Sequence, residues 1–174
     1  IGRLVGSEMC IRDRHYPDGS IQHQGVALVK GERRCVVEPG KHLHSAPVLA
    51  TLTPLLLQEE FTAATGACLM LRSSDFDGIQ GFDENLAVVF NDVDLCLRLR
   101  AQGGSIVVTP YLEIVHHESI SRGKDREGAA LARHQRESGL LRAKHAGLFA
   151  TGDPLTSQRI HPHSNRYQPR GPAP

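Results

Sequence analysis

The chain has 174 residues and a formal net charge of +1, with 20 lysines and arginines against 19 aspartates and glutamates. A length of 174 residues predicts one domain, and a hydrophobic content of 40% is enough to bury a core, which excludes a wholly disordered chain. The near-neutral charge gives no electrostatic case for nucleic acid as a partner. The four cysteines have no CxxC spacing, which indicates reduced thiols in a cytosolic setting rather than disulfides or a zinc cluster.

The stretch at residues 4–14, LVGSEMCIRDR, has no helical or strand period to organise its charged side chains. We therefore expect residues 1–14 to be disordered. Back-translated, the stretch resembles one arm of a transposase-based DNA sequencing adapter read in frame, and we interpret it as laboratory DNA translated into protein. An ordinary flexible N-terminal arm would explain the disorder but not the match.

Periodicity and turn signals predict strands alternating with helices after this stretch, so the fold class is α/β. The Pro-, Ser- and His-rich residues 151–174 are expected to form a poorly ordered tail. The predicted strands are Ser20–Lys30, Ala63–Leu71, Ser105–Thr109 and Tyr111–His117. The predicted helices are Ser74–Ile79, Asn91–Gln102 and Glu127–Leu148, the last with a break at Gly139.

The helix predicted over Asn91–Gln102, with Asn91 as its N-cap and Gly103 as its stop, contains the main chemical candidate, Asp92. The helix dipole favours the charged form of a carboxylate in the first turn, and an ionised carboxylate there is ready to take a proton from a hydroxyl. The alternative is that Asp92 and Asp94 only satisfy free N–H groups and the dipole. The side chains that share a helix face with Asp92, and that direct this face to the core, are Leu95, Cys96 and Leu99.

The pair His116-His117 ends the run YLEIVHHES. Strand alternation places His116 on the same inward face as Leu112 and Ile114. A neutral imidazole at the end of a strand can bind a divalent metal. The alternative is a core histidine that is hydrogen-bonded to backbone, and the sequence shows no convincing set of further ligands.

The ordered run TGACLMLRSSDFDGIQGFDENLAVVFNDVDLCLRLRAQG, followed by IVVTPYLEIVHHESISRG, resembles the C-terminal, acceptor-side half of a family 2 glycosyltransferase with the GT-A fold. YPDGSIQHQGV resembles the preceding segment of bacterial, rhamnosyltransferase-like members, so the likeness covers residues 15–150. The resemblance implies an inverting sugar transfer from a nucleotide-diphosphate sugar to a glycan or glycolipid hydroxyl, in cell-surface polysaccharide or glycolipid synthesis. We expect a cytoplasmic protein, and association of the intact enzyme with the inner face of the membrane stays open.

The resemblance also implies a role for each residue that matches a family motif. Asp92 matches the general base of an "ED" motif at a helix start, with Asn91 in place of the usual Glu. His116 matches a ligand of Mg²⁺ or Mn²⁺, which would neutralise charge on the leaving diphosphate. Phe82 lies in a loop that matches "GGFDE", although we favour a core position for its ring. Donor binding is implied for Thr65, Gly66, Ala67 and Arg122, and acceptor binding for Phe82, Asp83 and Asp94.

An enzyme of this kind needs an N-terminal half with nucleotide-binding strands and paired "DxD" carboxylates. The sequence before residue 60 contains no predicted strand that ends in paired aspartates. We therefore expect residues 15–150 to form an incomplete GT-A domain, with a Rossmann-like mixed sheet, that is inactive alone. Two alternatives stay open. One is a metal-dependent hydrolase that uses Asp92, Asp94 and His116 as ligands, and the other is a non-enzymatic binding module with a His-rich tail.

Overall fold

The computed structural model describes residues 8–15, 21–23, 25–28, 36–37, 58–66, 68–115 and 128–155. These ranges contain both strands and helices, in agreement with the predicted α/β class, while the GT-A topology stays a prediction. The strands are β1 Glu8–His15, β2 Ile21–His23, β3 Ala27–Leu28, β4 Val36–Val37, β5 Glu59–Phe61, β6 Leu69–Met70 and β7 Ser105–Val115. The helices are α1 Ser73–Gly78, α2 Asn91–Ala101, α3 Gly128–Lys144 and α4 Ala146–Thr151. None of these described helices is both long and apolar enough to cross a membrane.

A mixed sheet is built around β7, in the order β2-β1-β7-β5, and β6 also pairs with β1. β1 runs parallel to β7, whereas β5 runs antiparallel to it, with Phe61 opposite Ile106. The sequence predicted two strands separated at Pro110, but β7 continues through this residue. The register with β1 shifts there, from Arg12 opposite Thr109 to Asp13 opposite Glu113. A proline has no N–H for the ladder, so the strand accommodates it as an irregularity rather than an end.

The sequence predicted disorder for residues 1–14, but the second half of this stretch belongs to a strand. Glu8–His15 is a strand that pairs with β7 along one edge and with β2 and β6 along the other. Backbone N–H and C=O groups hold such an inner strand on both sides, so it does not need the alternating side-chain pattern that we looked for. The likeness of residues 4–14 to a translated adapter stays a prediction.

Helix α2 lies at the centre of the hydrophobic core. The sequence predicted an amphipathic helix with one buried face, but five consecutive side chains, from Val93 to Leu97, are buried. Residues of β7, α3 and α4 belong to the same core cluster, so little of the helix surface is left for water. Its C-terminus follows the prediction, because the N–H of Gly103 bonds the C=O of Arg100. The core members from these neighbouring elements are Ile106, Val108, Leu141 and Phe149.

The C-terminal helices differ from the prediction in two places. Helix α3 runs through Gly139 without a break, and the interruption falls at His145, the N-cap residue of α4. The predicted poorly ordered tail is wrong for Asp153, whose carboxylate accepts hydrogen bonds from the Leu28 N–H at 2.7 Å and the Thr62 hydroxyl at 2.8 Å. These bonds connect the end of α4 to β3 and to the segment after β5. Residues 156–174 lie outside the described residues.

Candidate active site

The half-buried carboxylate of Asp92 lies in the first turn of α2. Its Oδ2 accepts a hydrogen bond of 2.7 Å from the backbone N–H of Gly66, in the segment after β5. Its Oδ1 accepts the N–H of Val93 at 2.8 Å, and the N–H of Asp92 donates to Oδ1 of Asn91 at 2.8 Å. The structure therefore brings together the predicted base and one of the predicted donor-binding residues.

The thiol of Cys96, one helical turn after Asp92, packs against the same segment that contains Gly66. It is completely buried, and its sulfur lies 3.6 Å from the C=O of Ala64 in the segment that leads to Gly66. Burial, together with the negative charge of Asp92, raises the pKa of this thiol to about 12. The thiol stays protonated near neutral pH, so Cys96 is a packing residue and not a nucleophile.

The approach of Gly66 to Asp92 leaves little room for a side chain, which predicts a local effect of Gly66→Ala. A Cβ at residue 66 would lie 3.1 Å from Cβ of Asp92 and 3.3 Å from Cδ2 of Leu69. We expect the residue 66 N–H to move away from the carboxylate, with a change in unfolding free energy of no more than about 1 kcal/mol, because the loss of chain entropy in the unfolded state offsets part of the crowding. Hydrogen-exchange protection of the residue 66 amide, corrected for the intrinsic exchange rate of alanine, and denaturant unfolding measure the two effects.

Gly139→Ala is the matched control for this prediction. A Cβ there would meet nothing within 4 Å, and the position is inside helix α3. We expect this variant to gain roughly 0.5–1 kcal/mol from helix propensity and to leave the Gly66 amide unchanged. Unchanged exchange protection of the residue 66 amide in Gly66→Ala would contradict the close packing of the glycine on Asp92.

Asp94 is a fully buried carboxylate at the centre of a second polar cluster. We call Asp94, Arg98, Lys144 and His145 the Asp94 cluster. Nε of Arg98 lies 2.7 Å from Oδ2 of Asp94, and Nε2 of His145 lies 2.8 Å from Oδ1. Nζ of Lys144 lies 3.0 Å from the same carboxylate. The cluster therefore fastens α2 to the junction between α3 and α4.

The environment of Asp94 corrects its predicted role in acceptor binding. Burial alone would raise the pKa of this carboxyl, but the hydrogen bonds from His145, Lys144 and Arg98 outweigh burial and hold its pKa well below the usual range. Asp94 has no exposed surface and is enclosed by these three partners, so a sugar hydroxyl cannot reach its carboxylate in this fold. Asp94 is a structural anion, and the prediction that it contacts the acceptor is wrong.

The Asp94 cluster also fixes the loop that contains the predicted acceptor residues. Arg98 donates to the C=O groups of Ile79 and Gly81, the latter at 2.5 Å. Lys144 donates to Oδ2 of Asp83 at 2.7 Å. This bond, followed by the hydrogen bonds from Asn85, lowers the pKa of Asp83 below its ordinary value. The loop is therefore held by one cation of α2 and one of α3.

Phe82 projects from this loop rather than into the core. Its side chain is 45% exposed, and its ring meets Phe76 edge-on, with centroids 5.6 Å apart. The core position that we favoured for Phe82 is wrong. An aromatic face beside a fixed loop is compatible with the acceptor contact that the resemblance implied, and this contact stays a prediction.

The remaining predicted site residues divide into those inside and those outside the described ranges. Thr65 is half-buried next to Gly66. Ala67, His116, His117 and Arg122 lie outside the described residues. Among the residues that are described, no group of three or more His, Cys, Asp and Glu side chains could hold a metal ion.

The hydrolase alternative required Asp92 and Asp94 to converge on one metal ion. The structure gives these two carboxylates separate partners, since Asp92 bonds Gly66 and Val93 whereas Asp94 is enclosed by the Asp94 cluster. They do not form a joint metal site, so this alternative is wrong as we framed it.

Sequence reasoning missed three residues that organise the site: Glu137, Lys144 and His145. Each makes its contacts with residues about 50 or 60 positions away along the chain, such as the Lys144 bonds to Asp83 and Asp94. One signal was available, because Asp94 lies between positions that read as apolar. A carboxylate in such a setting requires cationic partners, and the Lys-His pair at the end of α3 was a candidate.

Two proteins that are similar to this chain are named as an O-antigen biosynthesis protein and as a rhamnosyltransferase. The chain is 36% identical over 110 residues to the O-antigen biosynthesis protein RfbC of Myxococcus xanthus. This aligned stretch covers 63% of this chain and 8% of that protein. It is also 36% identical over 85 residues to the N-acetylglucosaminyl-diphospho-decaprenol L-rhamnosyltransferase of Mycobacterium tuberculosis, covering 49% of this chain and 28% of that enzyme. These relatives support a glycosyltransferase-like family for the chain.

A longer match is to the uncharacterized protein y4gI of Sinorhizobium fredii, which is 40% identical over 124 residues, 71% of this chain and 13% of that protein. The chain thus spans between 8% and 28% of the length of these three relatives. No family model matches the chain, and no solved structure matches it.

Proposed function

We propose that this chain is the acceptor-side part of an inverting, family 2 glycosyltransferase with the GT-A fold. The observation that carries the proposal is the 2.7 Å hydrogen bond from the Gly66 N–H to the Asp92 carboxylate. It joins a residue with an implied donor role to the residue with an implied role as base. The likeness to a rhamnosyltransferase and to an O-antigen biosynthesis protein supports the same reaction class.

Asp92 acts in this proposal as the general base. It takes the proton from the acceptor hydroxyl while the hydroxyl oxygen attacks the anomeric carbon of the donor sugar. The bond from that carbon to the diphosphate oxygen breaks, and the nucleoside diphosphate leaves with the bonding electrons. The hydrogen bonds from Gly66 and Val93 hold the carboxylate in one orientation, and a fixed orientation of this kind favours proton transfer.

The donor side of the proposal involves Thr65, Gly66 and Ala67, with Arg122 on the diphosphate. A small residue at position 66 lets a ligand approach the backbone. His116 is the proposed ligand of Mg²⁺ or Mn²⁺, and the metal would supply charge neutralisation for the leaving diphosphate. The described residues do not group into a metal site, so we assign no step to the ion.

The acceptor side of the proposal consists of Phe82 and Asp83. The exposed ring of Phe82 offers an apolar surface to a sugar ring, and Asp83 keeps the loop in place through Lys144. We propose a glycan or glycolipid acceptor, in cell-surface polysaccharide synthesis at the cytoplasmic side of the membrane. The nucleotide-binding part would come from other residues of a longer enzyme.

The proposal predicts transfer by a longer protein that contains this segment and no transfer by the 174-residue chain alone. We expect the longer protein to move sugar from a nucleotide-diphosphate sugar to a glycolipid acceptor, with inversion at the anomeric carbon. Product analysis by NMR reports the anomeric configuration of the new linkage. A retained configuration, turnover by the isolated chain, or release of free sugar without any transfer would contradict the proposal.

A further inference from the structure

Glu137 is a buried carboxylate that the proposed reaction does not use. It lies in α3, and its side chain has no exposed surface. Its Oε2 accepts two backbone N–H groups, from Val88 at 3.1 Å and from Val89 at 2.6 Å. Its Oε1 lies 3.4 Å from the guanidinium of Arg136, which is mostly exposed. One oxygen of Glu137 therefore binds the backbone immediately before α2.

Phe90, the residue after Val89, has a strained backbone. Phe90, the N-cap of α2, adopts the left-handed conformation with φ 61° and ψ 14°. A bulky residue is strained in this conformation, and such strain persists only where the surroundings impose it. The Phe90 ring packs edge-on against His134 of α3, with centroids 5.5 Å apart. Helix α3 thus holds both the backbone before the strained residue and its side chain.

The strained turn determines where α2 begins. The C=O of Phe90 accepts the N–H of Asp94 at 2.9 Å, and Asp92 stands between these two residues. Any movement of residues 88–90 would shift the first turn of α2 and with it the carboxylate that meets Gly66. Two contacts from α3, one polar and one aromatic, fix this turn.

We infer that Glu137, assisted by His134, is a positioning residue that sets the place of Asp92 through the turn at residues 88–90. The catalytic meaning of this position rests on the proposed function, but the geometric claim does not. Within the described part of the chain, the hydrogen bonds and ion pair of Glu137 go to Val88, Val89 and Arg136, so its effect on Asp92 passes through the backbone. A purely structural role would make Glu137 variants less stable without a specific change at Gly66.

The geometric claim is tested in the 174-residue chain by amide NMR of Glu137→Ala and Glu137→Gln. In Glu137→Ala, we expect the Val88, Val89 and Gly66 amide signals all to move. In Glu137→Gln they should stay near their wild-type positions, because a single amide oxygen can accept both N–H groups that Oε2 accepts. Gln135→Ala, on the exposed face of the same helix, is the matched control and should leave the three signals unchanged.

A Gly66 amide that stays in place while those of Val88 and Val89 move would overturn the inference, as would equal shifts in Glu137→Gln and Glu137→Ala. If Glu137→Ala does not fold, Glu137→Asp replaces it, because a side chain shorter by one methylene places the carboxylate farther from Val88 and Val89. We then expect smaller shifts of the same three amide signals.

The catalytic meaning is tested in a longer protein that contains this segment. We expect Glu137→Ala to lower kcat by at least about tenfold with the KM for the nucleotide sugar little changed, and Glu137→Gln to restore most of kcat. A kcat that is lost equally in both variants would contradict positioning through hydrogen bonds. If the wild-type protein shows no transfer, the proposed function fails, while the NMR comparison still decides whether Glu137 positions Asp92.

Discussion

Replacement of Asp94 with alanine is expected to lower the free energy of unfolding by about 3 kcal/mol. The substitution removes a fully buried carboxylate and leaves Lys144, Arg98 and His145 without their shared counter-charge. Breaking a buried ion pair from one side costs roughly 3–5 kcal/mol. We expect the lower end because the Lys144 side chain is 35% exposed and can turn toward water. Denaturant unfolding of the 174-residue chain measures the change.

Asp77→Ala is the matched control, because Asp77 is an exposed aspartate of helix α1. A surface substitution of this kind should change the unfolding free energy by no more than about 0.5 kcal/mol. Equal effects of the Asp94 and Asp77 substitutions would contradict a structural role for the Asp94 cluster.

The pH dependence of unfolding gives a second readout of the same cluster. The pKa of Asp94 is held well below its usual range in the folded chain. Its contribution to stability is therefore present above the unfolded pKa of about 3.9 and is lost as the pH falls through the folded pKa. Between about pH 5 and pH 2, the wild-type chain should lose more unfolding free energy than Asp94→Asn. Parallel acid profiles would contradict the assignment.

Local signals account for the parts of the fold that the sequence predicted well. Helix α2 was predicted over Asn91–Gln102 and is found over Asn91–Ala101, because acids in the first turn, arginines near the end and a glycine stop all act within one or two turns. The burial of Leu95, Cys96 and Leu99 on the face of Asp92 was also predictable from helical spacing, whereas the burial of the other helix positions was not.

Contacts between distant parts of the chain account for what the sequence did not predict. The N-cap of α2 is Phe90 rather than Asn91, in a turn that Glu137 of another helix holds. The burial of Asp94 depends on Lys144, which is 50 residues away along the chain. The pairing of β1 with β7 likewise rests on backbone bonds that leave no side-chain pattern. Sequence periodicity contains no information about these partners.

Asp92→Asn is expected to lower the transfer rate of a longer protein that contains this segment by roughly 10²–10⁴-fold. The amide keeps the shape of the side chain and an oxygen that can accept the Gly66 N–H, so the fold and the donor site should be retained. It cannot take a proton from the acceptor hydroxyl at neutral pH. Asp77→Asn, at an exposed position of α1, makes the same chemical change and should leave the rate unaltered.

The most direct test of Asp92 as the base is a single-turnover measurement of this variant at saturating nucleotide sugar and acceptor, with donor affinity measured in parallel. We predict a rate at least about 100-fold below wild type, with donor affinity within about twofold. A single-turnover rate close to that of the wild type would contradict the role of Asp92 as the base.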